Sequence, residues 1–310
     1  MERTVADTIR ELTRKHLEKG NGLLLSQAVS AVGWISNTVP NCQGVVDLPI
    51  ADVAGPGIAV GAAIVGRRPI FVIRFQDFVF LNASPLVMYA AKSKDIFGVG
   101  VPILIRALAD EGHGLGPVHS GCFHSIFMHM PGMRVCAPMT PGEYEEAWEV
   151  FLANDEPMFL SEHRRSFKCK SEMPDIVLDN ADITIFAISL ARFNVLEAVE
   201  MLKDDGIKCN VVHIMWLKPF TLSSKLLEPL ECSGRGLVVD SGFEIAGASQ
   251  SIAYELMIAT GLPVKAAGRY DRSTGVAQHL ENGTPTPLRI AEIVKDMVQN
   301  RKMAAKHHER

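Results

Sequence analysis

The chain of 310 residues is long enough for two domains, and its 47% hydrophobic and 21% charged residues are typical of a globular protein. A net charge of -4 gives no broad basic field, which argues against nucleic acid as a partner. The most apolar stretch, GIAVGAAIVG, is too short to cross a bilayer and is followed directly by Arg67 and Arg68. The charged N-terminus lacks the apolar core of a signal peptide, and the six scattered cysteines include no CxxC pair. We therefore expect a cytoplasmic protein without membrane or nucleic-acid partners.

The first half of the chain predicts alternating helices and strands. Thr4 followed by Asp7 resembles a capping box, and the helix that it starts should end at the Gly-Asn-Gly of residues 20–22. Short apolar runs, typical of buried strands, then alternate with amphipathic segments, typical of helices. In chain order these are the strands LLLS and VVDLPI, a small-residue helix over 55–66, the strand PIFVIRF, a helix around 82–94, the strand VPILIRAL, a helix around 141–153 and the strand PMFLSE. This order predicts a mainly parallel sheet covered by helices.

Residues 161–181 form a polar stretch without apolar periodicity, which predicts a domain boundary. Residues 303–310 are expected to be frayed. The predicted fold class is α/β, with two doubly wound domains over residues 1–165 and 182–310 and a linker over 166–181. The second domain should contain the strand ITIFAIS, the helix FNVLEAVEMLKDDG, the strand CNVVHIMWL, a helix near 222–230, the strand GLVVDSG, the helix ASQSIAYELMIATG, the strand PVKAAG and a helix around 287–300. Basic residues at 163–170 indicate a solvated linker or, less favourably, an anion site.

The stretch DLPIADVAGPGIAVGAA, residues 47–63, places one acid, Asp52, before a run of small residues. Burying a carboxylate is costly unless something pairs with it, so Asp52 indicates a bound partner. The glycines suggest a dinucleotide phosphate loop, but their spacing differs from that fingerprint and no acid follows at a distance suited to ribose. We favour close helix packing, including packing against another subunit. Asp52 would then lie near a subunit interface, where cofactors are often bound.

Residues 47–92, DLPIADVAGPGIAVGAAIVGRRPIFVIRFQDFVFLNASPLVMYAAK, resemble the β subunit of the first component of 2-oxoacid dehydrogenases. That component is the thiamine diphosphate-dependent decarboxylase of the pyruvate and branched-chain complexes, and the stretch is similar also to the pyrimidine-binding domain of transketolases. The similarity continues through GVPILIRALADEGHGLGPVHSGCFHSIFMHMPGMRVCAPMTP and resumes in LEAVEMLKDDGIKCNVVHIMWLKPF and GLVVDSG. It implies a pyrimidine-binding domain followed by a smaller transketolase C-terminal-like domain.

The resemblance also implies roles for individual residues. Asp52 matches the carboxylate that hydrogen-bonds a ring nitrogen of the cofactor's aminopyrimidine and so activates the cofactor, which then serves as an electron sink. Phe78 matches the aromatic residue that packs on the pyrimidine, and Ile50 is expected to contact the cofactor as well. His119, in VHSG, matches the histidine that orients a substrate carboxylate or moves a proton, and His113 is a weaker candidate.

A metal site built from His119, His124 and His129 is the competing interpretation of this histidine-rich stretch. On a helix, a step of five residues rotates by about 500°, so consecutive members would point apart and could not share an ion. We therefore expect no metal site in this chain.

The sequence departs from the family pattern at two positions near the expected site. The family has Glu where this chain has Asp52, and the loss of one methylene withdraws the carboxylate by roughly 1.5 Å. A misplacement of about 1 Å can lower a rate on the order of a hundredfold. Either the loop from Pro49 to Val53 lies closer to the cofactor, or the activity is slow, altered or absent; we favour a working site because Phe78 is retained. The glutamate that usually follows the first strand is also missing, with LLLSQAVSAV in its place.

The family holds Mg²⁺ and the cofactor's diphosphate through a Gly-Asp-Gly motif on a partner domain, and this chain contains no Gly-Asp-Gly. The resemblance therefore implies an α-type partner chain that binds both groups, in an α2β2 assembly. We expect a β-type subunit of an enzyme that decarboxylates a 2-oxoacid and transfers the acyl or aldehyde fragment. Two alternatives stay open: the C-terminal half of a split transketolase or related carboligase acting on a ketose or sugar phosphate, and a non-catalytic structural subunit.

Overall fold

The computed structural model describes residues 3–308, with side chains up to residue 299, so part of the predicted frayed tail lies outside the described residues. The strands are β1 (Gly22–Gln27), β2 (Val45–Leu48), β3 (Arg68–Ile73), β4 (Leu104–Ala109), β5 (Arg134–Cys136), β6 (Met158–His163), β7 (Ile183–Ile188), β8 (Cys209–Ile214), β9 (Trp216–Lys218), β10 (Gly236–Phe243) and β11 (Val264–Arg269). The helices are α1 (Val5–Glu18), α2 (Gly33–Asn37), α3 (Ala54–Ile64), α4 (Val79–Pro85), α5 (Ala91–Phe97), α6 (His124–Met128), α7 (Pro141–Ala153), α8 (Ala191–Asp204), α9 (Ser224–Ser233), α10 (Ala248–Thr260) and α11 (Pro287–His308).

The chain divides into two compact units. The first contains the residues up to Glu172 together with Met215–Pro219 and Thr274–Glu281, and the second contains Met173–Ile214, Phe220–Ser273 and the chain from Asn282 onward. The second unit begins inside the predicted linker. Two later segments of the chain pack in the first unit, and no local sequence pattern predicts this.

The first unit is built on a seven-stranded sheet in the order β2-β1-β3-β4-β6-β5-β9. Its strands are parallel except β9, which runs antiparallel to β5 at one edge. The central strands β4 and β6 are buried along their whole length, because helices cover both faces of a sheet of this kind. The predicted mainly parallel sheet is therefore confirmed.

Capping side chains mark the beginnings of α1 and α7. The Thr4 hydroxyl accepts a hydrogen bond from the Asp7 amide at 3.1 Å, and the Asp7 carboxylate accepts one from the Thr4 amide at 3.2 Å, so the predicted capping box is confirmed. Helix α7 covers the predicted residues 141–153, with Thr140 accepting from the Glu143 amide at 3.4 Å. The helix predicted around 82–94 is longer and is interrupted, since Pro85 removes a backbone donor and Leu86–Ala90 forms a π-helical turn between α4 and α5.

A fully buried ion pair links the two central strands of the first unit. Arg106 on β4 donates to Glu162 on β6 through Nε at 2.6 Å and through Nη2 at 2.9 Å, and Nη2 also donates to the Thr38 hydroxyl at 2.9 Å. Both charged side chains are completely inaccessible to water. A charged pair in such surroundings is tolerated because its members satisfy each other with two hydrogen bonds.

The second unit has a four-stranded parallel sheet in the order β11-β10-β7-β8. Its core consists of apolar side chains from the strands and from the inner faces of α8 and α11, such as Ile185, Val239, Val195 and Val294. This arrangement confirms the predicted second α/β block. Within residues 3–308 no helix combines the length and the apolarity that a membrane crossing requires.

Candidate functional site

A small pocket lies at the carboxyl ends of strands β1 and β3. The chain leaves β1 for β2 on one side and reaches β3 on the other, so the strand order reverses at this point, and ligands of open α/β sheets bind at such a reversal. The pocket is lined by Gln27, Asp52, Phe71, Val72, Ile73, Arg74, Phe78 and Asn82. Its cavity volume of about 10 Å³ is far below the roughly 300–1,000 Å³ of a complete small-molecule site.

Asp52 reaches this pocket from the turn between β2 and α3, where its side chain is half-buried. Its Oδ1 accepts a hydrogen bond from Gln27 Nε2 at 3.3 Å and a second from Asn82 Nδ2 at 3.2 Å. Within the described part of the chain, Oδ2 has no hydrogen-bond partner and the carboxylate has no ion pair. One carboxylate oxygen is thus anchored, and the other remains available.

The small residues of α3 explain how Asp52 comes so close to the sheet. A Cβ atom on Gly55 would meet Leu48 Cδ1 at 3.3 Å and Phe71 Cε2 at 3.4 Å, so the backbone of α3 lies close against these two side chains. One face of α3, which includes Ala59 and Ala63, is buried on the sheet. The opposite face carries Gly61, where a Cβ atom would meet no described atom within 4 Å, and this face is left open for another packing partner.

Phe78 and His119 come together beside the pocket. Their ring centroids are 5.5 Å apart in an edge-to-face arrangement, and Phe75 completes the group with its ring centroid 4.5 Å from that of His119. Phe78 also lines the pocket that contains Asp52. The structure therefore places three sequence-predicted site residues, Asp52, Phe78 and His119, in one neighbourhood.

The two residues before Phe78 fix the loop that carries His119. The buried Gln76 accepts from the Phe123 amide at 2.7 Å and donates to the Ala107 carbonyl at 3.1 Å and to the Ser161 hydroxyl at 2.8 Å. Asp77 accepts from the Gly121 amide at 2.9 Å. The segment that positions the aromatic ring therefore also positions the histidine loop.

A cationic side chain also packs on Phe75. The Arg164 guanidinium lies 4.5 Å from the Phe75 ring centroid, and its Nη2 donates to the Arg74 carbonyl at 3.0 Å. Asp110 lies 3.7 Å from Arg164 Nε, and burial raises the pKa of that carboxyl above its usual range. Burial likewise lowers the pKa of the Arg164 guanidinium.

The other predicted candidates lie outside this group. Ile50 is 76% exposed and does not line the pocket. His113 is exposed in a left-handed backbone conformation, with φ of 59°. His124 is buried at the start of α6, with Nδ1 3.1 Å from the Ser161 hydroxyl. Among the described residues, no group of three or more His, Cys, Asp and Glu side chains is arranged to hold a metal ion.

Two residues of the site, Gln27 and Asn82, were not predicted from the sequence. Gln27 ends β1, within the stretch LLLSQAVSAV that lacks the family's glutamate. The missing glutamate indicated an unusual position there, but it did not indicate that Gln27 would bind Asp52. Asn82 sits at the start of the predicted helix over 82–94 and carried no signal, because an asparagine on a helix is usually exposed.

The fold and the site define the class of protein, and comparison with known proteins gives the same class. Residues 4–170 match the pyrimidine-binding domain of transketolase, and residues 175–287 match the transketolase C-terminal domain. The chain belongs to the transketolase family, in the group that contains the β subunits of thiamine diphosphate-dependent 2-oxoacid dehydrogenases. The resemblance and the fold class predicted from the sequence are thereby confirmed.

Three similar proteins illustrate the range of the family. The chain is 27% identical to the pyruvate dehydrogenase E1 component subunit beta of Gracilaria tenuistipitata var. liui, over 94% of this chain and 98% of that protein. It is 30% identical to the acetoin:2,6-dichlorophenolindophenol oxidoreductase subunit beta of Cupriavidus necator, over 63% of this chain and 61% of that protein. The match therefore spans less than two thirds of the acetoin relative. A split gene transketolase, solved as an inactive beta4 tetramer, shares the fold with a TM-score of 0.72 at 17% identity, over 96% of this chain and 99% of that chain.

Proposed function

We propose that this chain is the β-type subunit of a heteromeric thiamine diphosphate-dependent enzyme that decarboxylates a 2-oxoacid and transfers the acyl or aldehyde fragment. The observation that carries the proposal is the Asp52 carboxylate, which is anchored through Oδ1 and open at Oδ2 in a pocket that Phe78 also lines. When bound, thiamine diphosphate supplies an electron sink for the negative charge that decarboxylation leaves behind.

The residues present fit the aminopyrimidine part of that cofactor. Asp52 Oδ2 would accept an N–H from the pyrimidine ring, and its charge, which no described cation neutralises, would stabilise a proton held there. Half-burial strengthens this interaction because the local dielectric constant is lower than in water. Phe78 would pack against the ring and exclude water from the pairing.

His119 would handle the substrate at the same site. Its imidazole is held by the rings of Phe75 and Phe78, on a loop fixed by Gln76 and Asp77. A histidine so placed can hydrogen-bond a substrate carboxylate or move a proton to or from the substrate.

The partner would be an α-type chain that holds the diphosphate and Mg²⁺, in an α2β2 assembly in the cytoplasm. The small pocket and the apolar surface around it support a second chain at this position. Ile50, Val53 and Ile58 beside Asp52 are 76%, 58% and 53% exposed, and Phe80 and Leu81 beside Phe78 are 64% and 53% exposed. Large apolar side chains exposed in this number on neighbouring segments are typical of a protein interface. The relatives are themselves named as beta subunits.

The experiment is co-expression with an α-type chain, followed by measurement of thiamine diphosphate retention and a screen of 2-oxoacids. In the assembled complex Asp52→Ala should lower kcat by at least about a hundredfold, because a positioned acid-base group contributes about 10²–10⁴-fold. Asp155→Ala, which removes an exposed acid outside the pocket, is the matched control. If Asp52→Ala left the activity of the complex intact, the chain would be a structural subunit and the proposal would be wrong.

A carboligase that acts on a sugar phosphate is the second candidate, and one observation favours it. The Arg164 guanidinium packs on Phe75, whose ring also contacts that of His119, and in this neighbourhood it could bind an anionic group of a substrate. A simple 2-oxoacid such as pyruvate has no second anion to use this cation. The substrate dependence of an Arg164 variant therefore separates the two reactions.

A further inference from the structure

We infer that Asn82 and Gln27 are positioning residues that orient the carboxylate of Asp52, so that a side chain one methylene shorter than glutamate still presents Oδ2 to the cofactor. The inference rests on the proposed function of Asp52 as the group that pairs with the aminopyrimidine. It adds two residues to the site and explains how a shortened acid can serve there.

The orientation of both amides follows from the surrounding acceptors. Asn82 Nδ2 faces Asp52 Oδ1 at 3.2 Å and the Phe78 carbonyl at 3.0 Å. A flipped amide would turn its oxygen toward two acceptors, which would repel it. Gln27 Nε2 faces the same Oδ1 at 3.3 Å, so its donor side is fixed by the same argument.

The two amides hold the carboxylate without neutralising it. Both donate to the same oxygen, Oδ1, which fixes the rotation of the carboxylate and leaves Oδ2 directed elsewhere. An arginine or lysine in either position would form an ion pair with Asp52 and would weaken the negative charge that the carboxylate presents to the cofactor. Neutral donors fix the geometry and preserve that charge.

Both positioning side chains are rigid enough to act in this way. Gln27 is 8% exposed at the end of β1, and Asn82 is 3% exposed on α4. Asn82 also ties its own helix turn together, because the Phe78 carbonyl that it bonds lies four residues earlier. One amide therefore connects the carboxylate of Asp52 to the backbone of Phe78, and the two proposed cofactor contacts are held in a fixed relationship.

The contact itself can be tested on the isolated full chain, without cofactor or partner. With ¹⁵N-labelled asparagine, the side-chain NH₂ signals of Asn82 are identified by their loss in Asn82→Leu. Asp52→Ala should shift these signals, whereas Asp155→Ala should leave them in place. Unshifted signals in Asp52→Ala would mean that the Asn82 amide does not donate to the carboxylate. The inference would then be overturned, independently of the activity of the assembled complex.

The positioning role is tested by a double-mutant cycle in the assembled complex. Asn82→Leu should lower kcat about tenfold to a hundredfold with little change in KM, because a displacement of about 1 Å has an effect of that size. In an Asp52→Glu background the longer side chain should reach the cofactor unaided, so adding Asn82→Leu should then lower kcat less than about threefold. Gln27→Leu should show the same dependence on the background, with a smaller decrease of kcat in the wild-type background than Asn82→Leu.

The matched control for these variants is Asn154→Leu. Asn154 Nδ2 also donates to a backbone carbonyl four residues earlier, that of Val150, at 2.8 Å, but it lies outside the pocket. This variant should leave kcat unchanged. The control therefore distinguishes the loss of a side-chain bond within a helix turn from the loss of the contact that positions Asp52. The inference is overturned if Asn82→Leu lowers kcat equally in the wild-type and Asp52→Glu backgrounds, or in neither. Failure of the proposed function is a separate result, because the Asp52→Ala complex would then be active.

Discussion

Gln76 and Phe123, which are 47 positions apart in the chain, are joined by a hydrogen bond of 2.7 Å from the Phe123 amide to the Gln76 side-chain oxygen. Gln76 is completely buried, and its amide nitrogen donates to the Ala107 carbonyl and to the Ser161 hydroxyl. Gln76→Met keeps the approximate volume but leaves these partners unsatisfied. We expect a loss of about 2–4 kcal/mol in the free energy of unfolding, measured by urea denaturation, since each unsatisfied buried group costs about 1–3 kcal/mol.

The same variant should also affect catalysis, because the bond holds the end of the loop that carries His119. Gln250→Met is the control, since Gln250 is exposed and, among the described residues, its side-chain oxygen accepts from the Ala246 amide alone. It should change the free energy of unfolding by less than about 0.5 kcal/mol. If Gln76→Met unfolded no more easily than the control, Gln76 would not be the residue that holds this loop.

The Arg106–Glu162 pair should be costly to break and nearly neutral to replace. Arg106→Met leaves the Glu162 carboxylate buried without a counter-charge and should lower the free energy of unfolding by about 3–5 kcal/mol. The double variant Arg106→Met, Glu162→Leu removes both charges and should recover most of that loss. Chemical denaturation of the two variants beside wild type measures the difference, and an equally unstable double variant would contradict it.

His16 should make the fold sensitive to mild acid. It is 2% exposed, and its Nε2 donates to the Arg68 carbonyl at 2.7 Å. Burial lowers the pKa of this histidine in the folded chain below its usual value of about 6.5. Because the unfolded chain then binds more protons, His16 contributes stability that is present above about pH 6.5 and is lost as the pH falls toward the folded-state pKa.

The measurement is the free energy of unfolding at several pH values between about 5 and 8, for wild type and for His16→Gln. Glutamine keeps a donor but does not titrate, so the variant should lose less stability on acidification. The difference in slope should approach about 1.4 kcal/mol per pH unit when one proton is taken up on unfolding. Parallel curves would show that His16 is not responsible.

Arg164 and Arg165 should differ in their effect on substrates, although they are adjacent in sequence. Arg164 packs on Phe75 beside the candidate site, whereas Arg165 is exposed. If the substrate carries a second anionic group, Arg164→Ala should raise its KM about tenfold or more, because a hydrogen bond to a charged group is worth about 1.5–3 kcal/mol. Arg165→Ala should leave the KM unchanged.

A second variant separates charge from stacking. Arg164→Lys keeps a cation but loses the planar contact with Phe75, so it should restore part of the affinity for the anionic substrate. The comparison uses pyruvate and a phosphorylated ketose as substrates of the assembled complex. An unchanged KM for both substrates in Arg164→Ala would exclude a role for this cation in substrate choice.

The sequence predicted the order of the main helices and strands because those signals are local. Helix α7 was predicted at its observed bounds as an amphipathic segment, and the buried strands were predicted from short apolar runs. Strand β5 has three residues, too few for such a pattern. The left-handed part of α2, with φ between 52° and 63° over Trp34–Asn37, contains no glycine that would have predicted it. The antiparallel edge strand β9 depends on pairing with a segment far away in the chain.

For the site, the sequence by itself determined that an acid, an aromatic residue and a histidine stand at Asp52, Phe78 and His119 in a transketolase-like chain. Which side chains surround that acid was decided by the tertiary structure. Gln27 lies 25 positions before Asp52 and Asn82 lies 30 positions after it, and they meet only because β1 pairs between β2 and β3 and α3 packs closely through Gly55. Strand order and close packing depend on the whole core, so no local pattern in the sequence could reveal which amides would hold the carboxylate.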